Sequence, residues 1–95
     1  MDIFIEKISL HEDDILYVKP KGYFFEMLYR STMGVHWDEP QKCLYHDPPK
    51  SWNTLQWYRQ IIAAVENEYG ITLKVCPETV FENIDEKIKI AIVDE

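Results

Sequence analysis

The chain has 95 residues, 46% of them hydrophobic and 28% charged, with a formal net charge of −7. That length makes one α+β-sized domain and leaves no room for a second core. The acidic balance excludes sequence-independent nucleic-acid binding and docking on anionic lipid, both of which need clustered Lys and Arg.

Met1-Asp2-Ile3-Phe4-Ile5-Glu6 has neither a basic n-region nor a long apolar run, so it does not read as a signal peptide. No apolar run approaches the roughly 20 residues of a membrane span. Cys43 and Cys76 are too few for a disulfide framework and read as reduced thiols of a cytoplasmic protein.

Ile3 to Leu10 is rich in β-branched residues and predicts a strand. His11-Glu12-Asp13-Asp14 is an acidic turn. Ile15 to Lys19 returns as a second strand, stopped by Pro20 and Gly22, so the two predict an antiparallel hairpin. Tyr23 to Met33 fits two readings. One is a short helix with Phe24, Phe25, Leu28 and Met33 inward and a Glu26–Arg30 pair outward; the other is an aromatic strand. The helix is the preferred reading. Val35-His36-Trp37 and Lys42-Cys43-Leu44-Tyr45 are two further β-type runs around the turn Asp38-Glu39-Pro40-Gln41.

The chain is organised around the stretch that follows. Leu55, Tyr58, Ile62, Val65 and Tyr69 recur at spacings of three and four, and Trp57, Ile61 and Ala64 widen that stripe. Pro48 and Pro49 stop any incoming helix, while Ser51 or Asn53 can cap the new one. Asn53 with Gln56 fits a capping box, and Gly70 supplies the left-handed residue that ends the helix. From Trp52 to Tyr69 the rod would be about 27 Å long. Ile71 to Val75 alternates as a strand. Asn83 or Asp85 can cap a last helix in which Ile84, Ile88 and Ile92 share a face, although Lys87 to Ile92 also alternates as a strand would. The pattern predicts an α+β domain: a mainly antiparallel sheet, one long central helix on one face, and a shorter C-terminal helix.

Little in the chain has the spacing of a reaction centre. Cys43-x-x-His46, with His36 and Cys76 elsewhere, lacks the second pair that completes a tetrahedral metal set. Nothing marks Cys43 as a low-pKa thiol. Neighbouring Asp38 and Glu39 point apart rather than converging on one substrate. No Gly-rich phosphate loop occurs. No cofactor, metal or catalytic residue is expected.

The aromatic residues are the sharpest feature: three Trp, six Tyr and four Phe. Trp37, Tyr45 and Trp52 lie in or beside the segments that lead into the central helix, with Trp57 and Tyr58 on its first turns. Beside Asp38, Glu39 and Asp47 they can form a cleft for a cation; equally, they can fill the core and a dimer seam. The candidate ligand-binding set is His36, Trp37, Asp38, Tyr45 and Trp52.

Several of these residues together resemble a family of small α+β proteins encoded on mobile integron gene cassettes of bacteria. The resembling positions are Val35-x-Trp37-Asp38, Leu44-Tyr45, Pro48-Pro49-x-x-Trp52, Gln56-Trp57-Tyr58-x-Gln60-Ile61, Glu68-Tyr69-Gly70-Ile71-x-Leu73 and Thr79-x-Phe81-x-Asn83-Ile84. They span residues 35–84; the first 34 residues add nothing, and Phe81 stands where the resemblance leads one to expect Trp. The resemblance implies an accessory cytosolic protein that forms homo-oligomers, and it carries over no catalytic residue.

The reading that follows is a non-enzymatic recognition module, homodimeric, with itself, a basic protein or a small cationic ligand as partner. One alternative is an acidic immunity-type protein that neutralises a basic toxin. Another is a small enzyme or cation pocket beside Trp37 and Trp52, which requires His36, Asp38 and Tyr45 to converge in one cavity.

Overall fold

The computed structural model of the chain describes residues 1–28, 33–48 and 51–95. Arg30 of the anticipated Glu26–Arg30 pair, and Pro49, lie outside the described residues.

The hairpin forms as the sequence predicts. β1 (Asp2–Leu10) and β2 (Leu16–Pro20) pair antiparallel, with a bulge between Ile5 and Lys7. β3 (Val35–Asp38) and β4 (Cys43–His46) make a second antiparallel pair around the predicted turn, and β4 joins β2 through Val18 and Leu44. The spine of the sheet is β1. It pairs in parallel with β5 (Thr72–Lys74) along its first residues and with β6 (Val80–Glu82) along Lys7–Ser9.

The six-stranded sheet is therefore mixed, which corrects the expectation of a mainly antiparallel one. β4 runs in the same direction as β1, and a helix crossing back between β4 and β5 returns the chain so that β5 lies parallel to β1. β6, three residues long, is too short to show a period in sequence, and its partner on β1 makes it a strand.

α1 (Thr54–Tyr69) begins behind Asn53, whose side chain accepts from the Gln56 amide while Gln56 returns the bond to the Asn53 amide. The predicted capping box is present. It starts the helix two residues later than Trp52. Gly70 ends it at φ 68°, with its N–H donating to the Glu66 carbonyl. α2 (Glu86–Val93) settles the second ambiguity as helix, capped by Asp85. Asn83 is instead a left-handed turn residue. Residues 23–28 contain no helix, and the rest of the Tyr23–Met33 reading falls partly on residues 29–32, outside those described. Phe25 is fully buried there, edge-on to Trp37 and Tyr69.

Strand alternation divides the sheet into two faces. Ile5, Ile8, Leu16, Val18, Leu44, Val35 and Trp37 face inward and pack on Tyr58, Ile61, Ala64 and Val65 of α1. Ile92 of α2 completes the core. Ile62 is only partly buried; the deepest line of α1 runs through Ile61. The other face, with Lys7, Lys19, Tyr17, Cys43, Tyr45, His36 and Asp38, carries neither helix.

Candidate functional site

The five candidate residues, four on β3 and β4 and Trp52 ahead of the long helix, stand in three different surroundings. His36 and Tyr45 are register partners on the outer face, their rings 5.3 Å apart. Tyr45 continues to Tyr17 at 5.5 Å, and Tyr17 stacks on His11 at 3.9 Å. A ribbon of four rings thus crosses the outer face. Trp37 does not join it, because one residue along a strand turns the side chain to the opposite face. Trp37 is core, and its indole N–H donates to Glu39 at 2.7 Å. Asp38 is on the outer face, but its carboxylate is taken up by the turn, accepting from the Gln41 side chain at 3.0 Å. Trp52 stands apart, before α1, and packs on Trp57.

Asp47 links the ribbon to the tryptophans, though it is not in the set chosen from sequence. One carboxylate oxygen accepts from His36 Nε2 at 2.6 Å. The Asp47 amide donates to the Gly34 carbonyl at 2.9 Å, and its carbonyl accepts from His46 Nδ1 at 2.5 Å. Gly34 has φ 75°, and a Cβ there would stand 3.0 Å from the other carboxylate oxygen and 3.4 Å from the Trp57 ring. Glycine is needed twice over, for the left-handed backbone and for the close approach.

A cleft of about 220 Å³ opens beside this carboxylate, lined by Asp47, Pro48, Ser51, Trp52 and Trp57. The two indoles meet at 53° with centroids 4.8 Å apart, forming a corner. Trp52 is the exposed wall. Trp57 is the buried one, clamped from behind by His46 stacked parallel at 4.4 Å. The Trp57 indole nitrogen is buried without a hydrogen-bond partner among the described residues. Buried N–H groups are rarely left so.

His46 is a structural residue. The Leu16 amide can only donate, so Nε2 accepts at 2.9 Å and Nδ1 carries the proton toward the Asp47 carbonyl. Burial depresses its pKa, and the ring stays neutral. Cys43 and His46 lie on opposite faces of β4, so their sequence spacing brings no ligands together. Among the described residues, no group of three or more His, Cys, Asp or Glu is placed to hold a metal. Both thiols are free, and burial pushes that of Cys43 up, away from nucleophilic character.

Asp47 and Trp57 were visible in the sequence as neighbours of the aromatic set. What the sequence could not show is that Trp57 turns toward the loop, and that Asp47 bridges both faces of the sheet's end. Among the described residues no helix is long and apolar enough to cross a membrane.

A small mixed α+β domain, one helix layer on a six-stranded sheet with an aromatic-acidic corner at the end of β4, is the class the geometry defines. The sequence profile of the integron cassette protein Hfx_Cass5 matches residues 3–79, and the chain belongs to that family. The match includes β1 and β2, to which the resemblance read from sequence did not extend. Among solved structures, the integron cassette protein Hfx_Cass5 from the mobile metagenome of North West Arm Sewage Outfall is similar, at 28% identity and a TM-score of 0.48. The likeness covers 97% of this chain and 92% of that one. No curated protein matches the chain.

Proposed function

We propose that the protein is a cytoplasmic, non-enzymatic recognition module that holds an organic cation in the Asp47–Trp52–Trp57 corner. The observation that carries this reading is the pairing of two angled indole faces with a carboxylate in one cleft. Ring faces attract a cation by their quadrupole, by about 0.5–2 kcal/mol depending on desolvation, and the carboxylate adds a counter-charge. The net charge of −7 draws cations toward the molecule over a longer range. The ligand is a small ammonium or guanidinium compound. In the immunity-type version, it is the Lys or Arg side chain of a basic protein. The catalytic alternative needed His36, Asp38 and Tyr45 in one cavity, and Asp38 is occupied by its own turn.

Choline and its neutral carbon isostere 3,3-dimethylbutan-1-ol, titrated against tryptophan fluorescence, separate cation recognition from apolar filling. Choline should bind several-fold tighter, and Trp52→Ala should abolish the difference. Equal binding of the two would overturn the proposal.

A second reading, homodimerisation, has its own observation. The helix-free face of the sheet exposes Phe4 and Val80, each a little over half accessible at 52% and 53%.

A further inference from the structure

A second cleft, of about 500 Å³, lies at the opposite edge of the sheet, between α1, α2 and β5. β5 and the residue that follows it line the cleft with Thr72, Leu73, Lys74 and Val75, four residues in a row. Successive strand residues point to opposite faces, so a cleft touched by all four runs along the strand's edge and not over one face. On α1 the lining includes Tyr58, Ile62 and Glu66, one residue per turn. The cleft therefore follows the helix for two turns, about 12 Å.

Along that length β5 has an unused side. Among the described residues it pairs with β1 alone, and the Thr72 amide donates to the Met1 carbonyl at 2.9 Å. Thr72 and Lys74 thus turn their backbone groups toward β1, and the alternation of a parallel ladder turns the N–H and C=O of Leu73 outward, along the cleft. The walls are apolar: Leu73, Ile92 and Tyr58 are buried beneath Ile62. No hydrogen bond of the Tyr58 hydroxyl occurs among the described residues, and burial with the nearby Glu95 charge pushes its pKa up to about 12, so it remains an O–H donor. The cations at the rim are spoken for, Arg59 by Glu95 at 2.5 Å and Lys74 by Asp2 at 2.9 Å. Among the described residues Glu66 has only the Thr72 hydroxyl, at 3.3 Å, and no cation pairs with it.

We propose that this edge takes an extended peptide of a partner protein as an added strand. Paired backbone groups at Leu73 hold it, an apolar side chain enters between Ile62 and Ile92, and a basic side chain meets Glu66. Free edge groups call for a strand backbone, the 12 Å cleft admits about three to four extended residues, and the unpaired carboxylate sets the charge. The site is separate from the tryptophan corner, and either can fail alone.

Selection of a capped, fully randomised hexapeptide library against the full chain tests it. Enriched peptides should carry apolar residues two apart with an adjacent Lys or Arg. The best of them should shift the Leu73 amide resonance, keep its affinity on Trp52→Ala, and lose about tenfold on N-methylation at the residue facing Leu73. Glu66→Lys, an exposed change, should turn the selected charge from basic to acidic. Three results would each overturn the proposal: no enrichment, affinity unchanged by N-methylation, or Leu73 shifts that depend on protein concentration without peptide, which would make a second copy the occupant.

Discussion

Gly34 is the residue on which the tryptophan corner depends most directly. A side chain there adopts the left-handed region at a cost of about 1–2 kcal/mol, and its Cβ presses on the Asp47 carboxylate. Gly34→Ala should therefore lower the urea midpoint and weaken choline binding together. His46 offers a second test at the same scale. Its folded pKa lies below the ordinary 6.5, so the unfolded chain takes up its proton first as pH falls. The contribution of His46 to stability is complete above pH 6.5 and is lost as pH drops through the folded value. Protonation would also set the ring's Nε2–H against the Leu16 N–H, two donors face to face. Urea unfolding should show a falling midpoint below pH 6.5. Nuclear resonances of the His46 ring should titrate below the ordinary histidine range, and a ring that titrates above it would contradict the assignment.

At the scale of elements, α1 shows what one sequence can disclose. Its boundaries were legible because Asn53, Gln56 and Gly70 act locally, through bonds to their own backbone. Which line of its apolar face lies deepest was not. Periodicity makes Ile61 and Ile62 equal members of one wide stripe, and only the sheet's position decides between them. Ile61, fully buried, should cost about 2–5 kcal/mol on truncation to Ala, and Ile62 clearly less, by denaturant unfolding of both variants. Equal losses would mean the helix is rolled toward Ile62. The strands divide in the same way. β1 and β2 announce themselves by a turn between β-branched runs, whereas β5 and β6 take their direction from a long-range partner that no local pattern encodes. The site was half legible for the same reason: alternation along β3 could separate Trp37 from His36 and Asp38, but Asp47 reaches His36 only through the fold.

At the scale of the whole molecule, the charges around the exposed apolar residues of the sheet bear on the proposed self-association. Neither terminal segment offers a free strand edge to a second copy: β1 is an interior strand, and Lys87 to Val93 is helix. The helix-free sheet face takes their place. Lys7 pairs with Glu82 at 2.9 Å, Lys19 with Glu6 at 3.4 Å and Lys74 with Asp2 at 2.9 Å, so the three lysines around β1 are each balanced by a carboxylate. Such exposed pairs add little stability. They leave the surroundings of Phe4 and Val80 near neutral. Two copies meeting face to face would bury Phe4 and Val80 without opposing like charges. A two-fold arrangement is the commonest for such a contact. Light scattering at micromolar protein should give about twice 11.4 kDa. That mass should change little with added salt, since the charges nearest Phe4 and Val80 are already paired. Phe4→Lys, placed at an exposed position, should return the monomer with its unfolding midpoint kept. A monomer at every concentration in the unaltered chain would leave the ring-bearing face to a different partner.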